Sequence, residues 1–298
     1  MKNPWISAMR PRTLPLALAC IGMGAFLAAD AEAFRWSVFG LSALTTVLLQ
    51  ILSNLANDYG DSQHGADSDD REGPQRAVQS GAISAAAMRK AIGLFVVLCL
   101  ASGLALLYVA LGWEWQTFLF FLGLGILSIV AAITYTASKK PYGYVGLGDI
   151  SVVVFFGLVA VLGSTFLYLQ EIRYAYFFPA LSCGLFATAV LNVNNIRDIE
   201  SDTKAGKRSI PVRIGRRAAV VYHGILLGLG VASALAYTLL YWQSGWQLLF
   251  LITVPLFWIN LHAVISRTDA RSLDPFLKQM ALSTLAFVVT FGVGLLMG

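Results

Sequence analysis

Charged residues are scarce in this chain. Only 12% of its 298 residues are Asp, Glu, Lys or Arg, 57% are hydrophobic, and the mean hydropathy is +0.70. A soluble domain carries about 25% charged residues. The apolar residues occur in runs of about twenty, without alternation, which is typical of membrane-spanning helices. The composition therefore excludes an ordinary soluble domain and predicts an all-α integral membrane protein.

Cysteine and histidine are also rare. The three cysteines, Cys20, Cys99 and Cys183, lie in different apolar runs and show no paired or metal-ligand spacing, and there are only three histidines. Zinc sites combine such residues at short, regular spacings, so none is predicted. The net charge of +5 would favour nucleic acid in a soluble protein. In a membrane protein basic loops set orientation and contact anionic lipid, so the bilayer is the expected partner and nucleic acid is not.

The apolar runs predict nine membrane-spanning helices. They cover residues 13–30, 37–57, 88–111, 117–137, 146–168, 174–196, 217–241, 246–265 and 278–297. No linker or soluble segment separates them, so residues 1–298 are predicted to form a single transmembrane domain. The first run follows basic residues, as a cleaved signal peptide does. We nevertheless expect this run to be retained, because the orientation derived below requires it.

Positive charge falls almost entirely on one side of this predicted topology. The N-terminus and the loops after spans two, four, six and eight hold 19 of the 21 Lys and Arg residues, and the other side holds only Arg35 and Arg173. Loops rich in Lys and Arg stay in the cytoplasm. The N-terminus and the even-numbered loops are therefore predicted to be cytoplasmic.

Two acidic segments follow apolar runs on this predicted cytoplasmic side. The first is NLANDYGDSQHGADSDDREGPQR at 54–76, and the second is NNIRDIESD at 194–202. Each contains Asn-x-x-x-Asp, as Asn57 with Asp61 and as Asn194 with Asp198, and Asp202 follows the second. Residues four apart share a helix face. The recurrence predicts a weak internal repeat, with motifs at 54–67 and 194–206 and a site between its halves.

The residue types in these segments indicate the chemistry of that site. Carboxylate and amide oxygens suit Mg²⁺, which a few carboxylates and substrate phosphates usually hold. Cations interleaved with the acids favour a metal–diphosphate clamp; they include Arg71, Arg76, Lys139 and Lys207. A site at helix ends near lipid headgroups suits a substrate with a phosphate head and an apolar tail, such as an isoprenoid diphosphate. The alternative is a set of ordinary solvated loops.

Several longer stretches carry a resemblance to a known family. They are RPRTLPLA at 10–17, LQILSNLANDYGD at 49–61, AAITYT at 131–136, PYGYVGLGDISVVVFFG at 141–157 and LNVNNIRDIESDTKAGK at 191–207. Together they resemble the UbiA superfamily of intramembrane prenyltransferases, and within it the 1,4-dihydroxy-2-naphthoate polyprenyltransferases of menaquinone biosynthesis. The resemblance implies a nine-helix bundle around a cavity open to lipid. It also implies Mg²⁺-dependent transfer of a polyprenyl group from polyprenyl diphosphate to 1,4-dihydroxy-2-naphthoate, with loss of CO₂ and diphosphate, in a bacterial inner membrane.

The same resemblance implies roles for individual residues. The expected metal ligands are Asn57, Asp61, Asp67, Asn194, Asp198 and Asp202. The expected diphosphate ligands are Arg71, Arg76, Lys139 and Lys207, and the aromatic substrate is assigned to Arg10, Asn54 and Tyr135. Asp61, Asp198 and Asp202 are expected to be catalytic, together with Asp149, which enters the fifth span as an ionisable group among apolar residues. The superfamily often has a third acid where Gly65 stands here, and Asp67 is the predicted substitute.

Other functions stay open at this point. Another aromatic acceptor, such as 4-hydroxybenzoate, or phytyl transfer as in phylloquinone synthesis would use the same motifs. An ion-coupled transporter is the alternative from another class. It would place carboxylates near mid-membrane on broken helices, whereas the acids here cluster at helix ends.

Overall fold

Regular structure in this protein is helical wherever the chain is described. The computed structural model describes residues 3–64 and 75–298, and no strand occurs in these residues. The helices are α1 Pro4–Met9, α2 Leu14–Asp30, α3 Trp36–His64, α4 Ala85–Leu111, α5 Trp115–Thr134, α6 Gly148–Leu169, α7 Phe177–Arg197, α8 Ile199–Lys204, α9 Ile210–Leu240, α10 Val254–Ser266 and α11 Ala270–Leu296. Short 3₁₀ segments at Tyr174–Tyr176 and Gly245–Thr253 lead into α7 and α10.

Nine helical stretches within residues 3–64 and 75–298 are long and apolar enough to cross a membrane. The first joins α1 and α2, the short α8 is not among them, and the other helices supply one each. The prediction of an all-α, nine-span membrane protein is therefore confirmed. The cytoplasmic placement of the N-terminus stays a prediction.

The first span bends at Arg10. This residue ends α1 in the left-handed conformation, with φ 48° and ψ 66°, and Pro11 follows it. A residue before proline is disfavoured in the right-handed helical region, and a left-handed residue is a common helix end. The bend separates α1 from the membrane-spanning α2 and leaves Arg10 at their junction.

Several helices extend beyond the apolar runs that predicted them. The second span was expected to end at residue 57, but α3 continues to His64. Its polar residues have protein partners: both oxygens of Asp58 accept hydrogen bonds from backbone N–H groups, of Ala77 at 3.1 Å and Val78 at 3.0 Å. Because these contacts satisfy a buried carboxylate, the helix does not need to end where the apolar pattern does.

The hydrophobic core centres on α7. Its Phe186 ring stacks on Phe257 of α10, with centroids 4.4 Å apart, and meets Phe287 of α11 edge-on at 4.9 Å. Gly230 of α9 permits this packing, since a Cβ there would lie 2.4 Å from the Phe186 ring. Closely packed interiors have few voids and low compressibility. The packing of Phe186 therefore holds α7 firmly at the centre of the bundle.

The bundle end opposite the acidic motifs is closed by an arginine. Arg35 donates to the carbonyl oxygens of Ala110 at 3.3 Å and Leu167 at 2.7 Å, near the ends of α4 and α6. The last carbonyls of a helix lack partners within that helix, so Arg35 caps two helices at once. Exposed tryptophans also lie at this end, as is typical of the aromatic belt at a membrane interface; they are Trp36, Trp113, Trp115, Trp242 and Trp246.

Candidate active site

The two acidic motifs lie at the same end of the bundle and are joined by one tyrosine and one lysine. The hydroxyl of Tyr144, in the segment between α5 and α6, donates to Asp61 Oδ1 at 2.9 Å. The Lys207 ammonium lies 5.9 Å from the centroid of the Tyr144 ring and 3.1 Å from Asp202 Oδ1. Tyr144 thus contacts the first motif directly and the second through Lys207.

The first motif faces a cavity. Asp61 Oδ2 lies 3.0 Å from Arg76 Nη2, and the Asn57 amide oxygen accepts a hydrogen bond from Thr136 at 3.0 Å. Asn57, Asp61 and Arg76 all line the cavity wall. The close approach depends on Gly60, because a Cβ there would lie 2.4 Å from the Thr136 backbone. The end of α3 is therefore pressed against the segment that follows α5.

The second motif is held by a buried arginine. Arg197, whose side chain is 1% exposed, donates to both oxygens of Asp198 at 2.7 Å. It also donates to Asn194 at 2.9 Å and to Asp274 of α11 at 2.7 Å. Such a forked pair with additional hydrogen bonds is the arrangement that makes a buried charge tolerable. Asn194 lines the cavity, whereas Asp198 is turned towards Arg197 and does not.

Asp202 and Lys207 form a second buried ion pair beside the cavity. Burial raises the pKa of the Asp202 carboxyl to about 6, opposed by the charge of Lys207. Burial acts to lower the pKa of Lys207, but the nearby carboxylates of Asp202 and Asp61 outweigh it and raise that pKa above its usual value. Lys207 is therefore a permanent cation where it lines the cavity.

The cavity has a polar end and a long apolar body. Its volume is about 430 Å³. The polar end includes Arg10, Asn57, Asp61, Arg76, Asn194 and Lys207. The remaining wall is mostly aliphatic and aromatic, and extends to Leu107 of α4 and Leu167 of α6 near the opposite end of the bundle. A molecule with a charged head and an apolar tail fits this distribution.

The residues assigned to the aromatic substrate differ in position. Arg10 and Tyr135 line the cavity, and burial raises the pKa of the Tyr135 phenol, which stays protonated at neutral pH. Asn54 instead donates to Met9 O at 2.9 Å and Thr13 Oγ1 at 3.0 Å. These contacts tie α3 to the junction of α1 and α2, so the structure places Asn54 behind the residues that face the cavity.

Of the remaining predicted site residues, Asp149 and Lys139 do not line the cavity. Asp149 is buried at the start of α6 and accepts a hydrogen bond from the Tyr222 hydroxyl at 3.1 Å. Lys139 is exposed after the end of α5. Asp67 and Arg71 lie outside the described residues. The roles assigned to these four residues stay predictions.

Three site residues were missed by the sequence reasoning. Tyr144 lies in a quoted stretch, but no spacing rule ties it to Asp61. Arg197 lies within the second acidic segment, but its contact with Asp274 joins positions 77 residues apart. Asn195 lines the cavity beside Asn194, and its amide oxygen is buried without a hydrogen-bond partner. Its position next to Asn194 was the one available signal.

The donor atoms at the polar end fit Mg²⁺. They are the hard oxygens of Asn57, Asp61 and Asn194, together with the unpartnered oxygen of Asn195. Within residues 3–64 and 75–298 no group of three or more His, Cys, Asp or Glu side chains is placed to hold a metal ion. Mg²⁺ is usually bound through one or two carboxylates, waters and substrate phosphates. These residues therefore suit a metal bound jointly with a diphosphate, and the individual ligand assignments stay predictions.

Known proteins resemble this chain over almost its whole length. It is 46% identical over 297 residues to the 1,4-dihydroxy-2-naphthoate octaprenyltransferase of Haemophilus influenzae, covering 99% of this chain and 96% of that protein. The Escherichia coli protein of the same name is 45% identical over 291 residues, which cover 98% of this chain and 94% of that protein.

Solved structures share the fold. A UbiA homolog from Archaeoglobus fulgidus bound to GPP and Mg²⁺ matches with a TM-score of 0.68 at 18% identity, over 97% of this chain and 99% of that one. A UbiA homolog from Aeropyrum pernix matches with the same TM-score of 0.68 at 19% identity, over 96% of this chain and 97% of that one. Residues 17–297 match the UbiA prenyltransferase family. The resemblance drawn from the sequence motifs is confirmed: this chain is a member of the UbiA prenyltransferase family.

Proposed function

We propose that this protein transfers a polyprenyl group from polyprenyl diphosphate to 1,4-dihydroxy-2-naphthoate, releasing diphosphate and CO₂. The product is demethylmenaquinone in its hydroquinone form, an intermediate of menaquinone biosynthesis. The observation that carries the proposal is the cavity with cations and acids at one end and an apolar body beyond them. The near-full-length relatives that carry this activity in their names support the choice of acceptor.

The diphosphate head binds at the polar end. Arg76 and Lys207 line it, one beside each acidic motif. Arg and Lys both recognise phosphate, Arg through its planar fork and Lys as a point charge. Asn57, Asp61, Asn194 and the second motif would hold Mg²⁺, which would supply positive charge against the leaving diphosphate. Asp202 holds Lys207 in place through both carboxylate oxygens, each 3.1 Å from the ammonium.

Ionisation of the donor is the first chemical step. The bond between the first tail carbon and the diphosphate oxygen breaks, and its electron pair leaves with the diphosphate. Preorganised cations stabilise this developing charge without having to reorient, which is the role of Arg76 and Lys207. The allylic cation left behind lies against an apolar wall that includes Phe155, Phe156 and Val159. That wall excludes water, which would otherwise trap the cation.

Attack by the aromatic ring completes the transfer. The ring carbon that bears the carboxylate forms the new carbon–carbon bond, and loss of CO₂ returns the electron pair that restores the aromatic ring. No net proton is released, so the chain needs no general base for this substitution. In this proposal Arg10, which lines the cavity at the junction of α1 and α2, holds the carboxylate before it leaves. Tyr135 lines the same region as a hydrogen-bond donor.

The polar end of the cavity faces the cytoplasm in this proposal. Both substrates then arrive from the side where they are made, and the tail enters the bilayer. The predicted inner-membrane orientation rests on the distribution of Lys and Arg. Modification of single cysteines introduced at Lys139 or Gln243, on opposite sides in the predicted topology, tests it in intact cells and inverted vesicles.

Product mass spectrometry with purified protein in lipid nanodiscs tests the reaction. One polyprenyl diphosphate is offered with 1,4-dihydroxy-2-naphthoate, with 4-hydroxybenzoate, or with neither, and phytyl diphosphate is tested as an alternative donor. We expect a decarboxylated prenyl naphthohydroquinone to form, and its formation to require Mg²⁺. Prenylation of 4-hydroxybenzoate alone would overturn the acceptor assignment, and ion uptake into proteoliposomes without prenylation would revive the transporter.

Substitution of the acids tests the site separately. Asp61→Asn, Asp198→Asn and Asp202→Asn are expected to abolish turnover and to weaken Mg²⁺-dependent binding of the diphosphate. Binding of a fluorescent prenyl diphosphate with and without Mg²⁺ provides the second measurement. Wild-type turnover by any of the three variants would remove that residue from the site.

A further inference from the structure

Two segments that join helices lie side by side next to the acidic motifs. One connects α5 to α6 and carries Tyr144, and the other connects α8 to α9 and carries Lys207. The Arg208 N–H group donates to the Tyr144 carbonyl oxygen at 2.8 Å. Since Arg208 directly follows Lys207, this backbone bond joins the two segments at the point where each of them contacts an acidic motif.

Arg213, in the first turn of α9, binds both of these segments. Its Nη2 donates to the Val145 carbonyl oxygen at 2.6 Å, and its Nε donates to the Arg208 carbonyl oxygen at 2.9 Å. A guanidinium presents several donors in a rigid fork and can serve two acceptors at once, whereas the ammonium of lysine is a compact point charge. We call these two contacts of Arg213, together with the bond from Arg208 to Tyr144, the arginine clasp.

Two glycines shape the backbone around the clasp. Gly146 follows Val145 with φ 78°, a conformation that glycine adopts without steric strain. A Cβ at Gly146 would lie 2.9 Å from the Arg208 carbonyl oxygen and 3.0 Å from the guanidinium carbon of Arg213. Gly215, with φ 77° and ψ 161°, interrupts α9 two residues after Arg213. The turn that carries Arg213 is therefore set apart from the membrane-spanning remainder of α9.

We propose that Arg213 is a positioning residue: the arginine clasp holds the Tyr144 hydroxyl on Asp61 and so sets the affinity of the site for Mg²⁺ and the donor diphosphate. The inference deepens the proposed function and rests on it. Arg213 is exposed and does not line the cavity, so it acts through the segments that it holds. Its two acceptors are backbone carbonyl oxygens on different segments, and losing both contacts frees the Tyr144 segment to move relative to the Lys207 segment.

Hydrogen exchange of the protein without Mg²⁺ or substrates tests the clasp itself. Arg213→Ala should speed exchange of the Arg208 N–H group about three- to tenfold, since the bond to the Tyr144 carbonyl then opens more often. Peptides that cover residues 205–212 report this change. Arg217→Ala is the matched control, because it removes the same charge from an exposed position four residues further along α9, and its exchange should match the wild type. Unchanged exchange in Arg213→Ala would overturn the clasp.

Binding of a fluorescent prenyl diphosphate, titrated with Mg²⁺, tests the link from the clasp to the site. We expect Arg213→Ala to raise the Mg²⁺ concentration for half-maximal binding about three- to tenfold, below the loss typical of a direct partner of a metal ligand. The kcat at saturating Mg²⁺ and donor should stay close to that of the wild type. Arg213→Lys keeps the charge but lacks the fork, so its Mg²⁺ requirement should lie between those of the wild type and Arg213→Ala.

A double-mutant cycle with Tyr144→Phe separates positioning from a general loss of stability. Because Arg213 acts through the Tyr144 hydroxyl, Arg213→Ala should add little to the Mg²⁺ requirement once that hydroxyl is gone. An equal rise in both backgrounds would overturn the inference, as would an unchanged Mg²⁺ requirement in Arg213→Ala alone. If the wild-type protein prenylates no aromatic acceptor, the proposed function fails, and hydrogen exchange and diphosphate binding still report whether the clasp positions Tyr144.

Discussion

The hydroxyl of Tyr144 is predicted to set the affinity of the first acidic motif for Mg²⁺. Tyr144→Phe removes the hydrogen bond to Asp61 Oδ1, which is 2.9 Å long. The ring remains, and with it the Lys207 ammonium 5.9 Å from its centroid and the packing on His64 at 5.6 Å. The substitution therefore tests the contribution of this hydroxyl to holding the Asp61 carboxylate.

The size of the effect follows from what holds Asp61. A hydrogen bond to a charged group contributes about 1.5–3 kcal/mol, and loss of an outer partner of a metal ligand typically costs about 10- to 100-fold in affinity or activity. The other oxygen of Asp61 keeps its ion pair with Arg76 at 3.0 Å, which limits the movement of the carboxylate. We therefore expect the lower part of that range, about 10- to 30-fold, in the apparent Mg²⁺ affinity.

Initial rates of diphosphate release against Mg²⁺ concentration, at saturating donor, measure this affinity. Tyr59→Phe is the control, because Tyr59 lies on the same helix and packs in a separate apolar cluster. Thermal melting without Mg²⁺ shows whether either variant is less stable. An Mg²⁺ dependence within twofold of the wild type in Tyr144→Phe, alongside an inactive Asp61→Asn, would refute the idea that this hydroxyl orients Asp61.

Three further predictions concern packing and charge away from the reacting atoms. Gly60→Ala should destabilise the fold by about 1–3 kcal/mol or more, because its Cβ would lie 2.4 Å from backbone; Gly40→Ala, with open space around it, should change the melting temperature little. Arg35→Ala leaves helix-end carbonyls without their donor, so we expect a loss of about 1–3 kcal/mol in thermal unfolding and unchanged kcat at low temperature. Asp274→Asn removes one counter-charge from Arg197. The guanidinium then binds Asp198 more tightly, and the Mg²⁺ concentration for half-maximal rate should rise several-fold; an unchanged Mg²⁺ requirement would contradict this.

The sequence is sufficient to predict the fold because lipid solvent imposes a simple rule. A membrane-spanning segment must satisfy its own backbone and expose apolar side chains, so the apolar runs correspond closely to the helices. The predicted helix boundaries are less accurate than the helices themselves. For example, α3 continues through Asp58 and Asp61 to His64 instead of ending at residue 57. Those ends depend on partners such as the backbone N–H groups of Ala77 and Val78, which no local pattern reveals.

The candidate site was predictable in its residue types and less so in its contacts. The spacing of Asn57 and Asp61 correctly placed both on the cavity side of one helix. The same spacing in the second motif predicted that Asp198 would accompany Asn194, yet Arg197 takes both of its oxygens. Four-residue spacing describes a helix face, and the amide N–H of Asp198 does bond to the Asn194 carbonyl at 3.1 Å. The spacing does not reveal that the neighbouring Arg197 binds the Asp198 carboxylate.

Arg197 donates one hydrogen bond to each oxygen of Asp198, and each carboxylate oxygen has a second lone pair that a metal ion could use. If Asp198 binds Mg²⁺ as predicted, the charge of the metal repels the guanidinium and weakens its hold on these oxygens. A buried cation left without a partner is costly, but Arg197 also donates to Asp274, which is held on its other side by Arg12 at 2.9 Å. The alternating charges of Arg12, Asp274, Arg197 and Asp198 keep Arg197 paired when that hold weakens. The same chain of charges joins the α1–α2 junction, α11 and the end of α7, so we predict that metal binding at the second motif would affect the segment that carries Arg10.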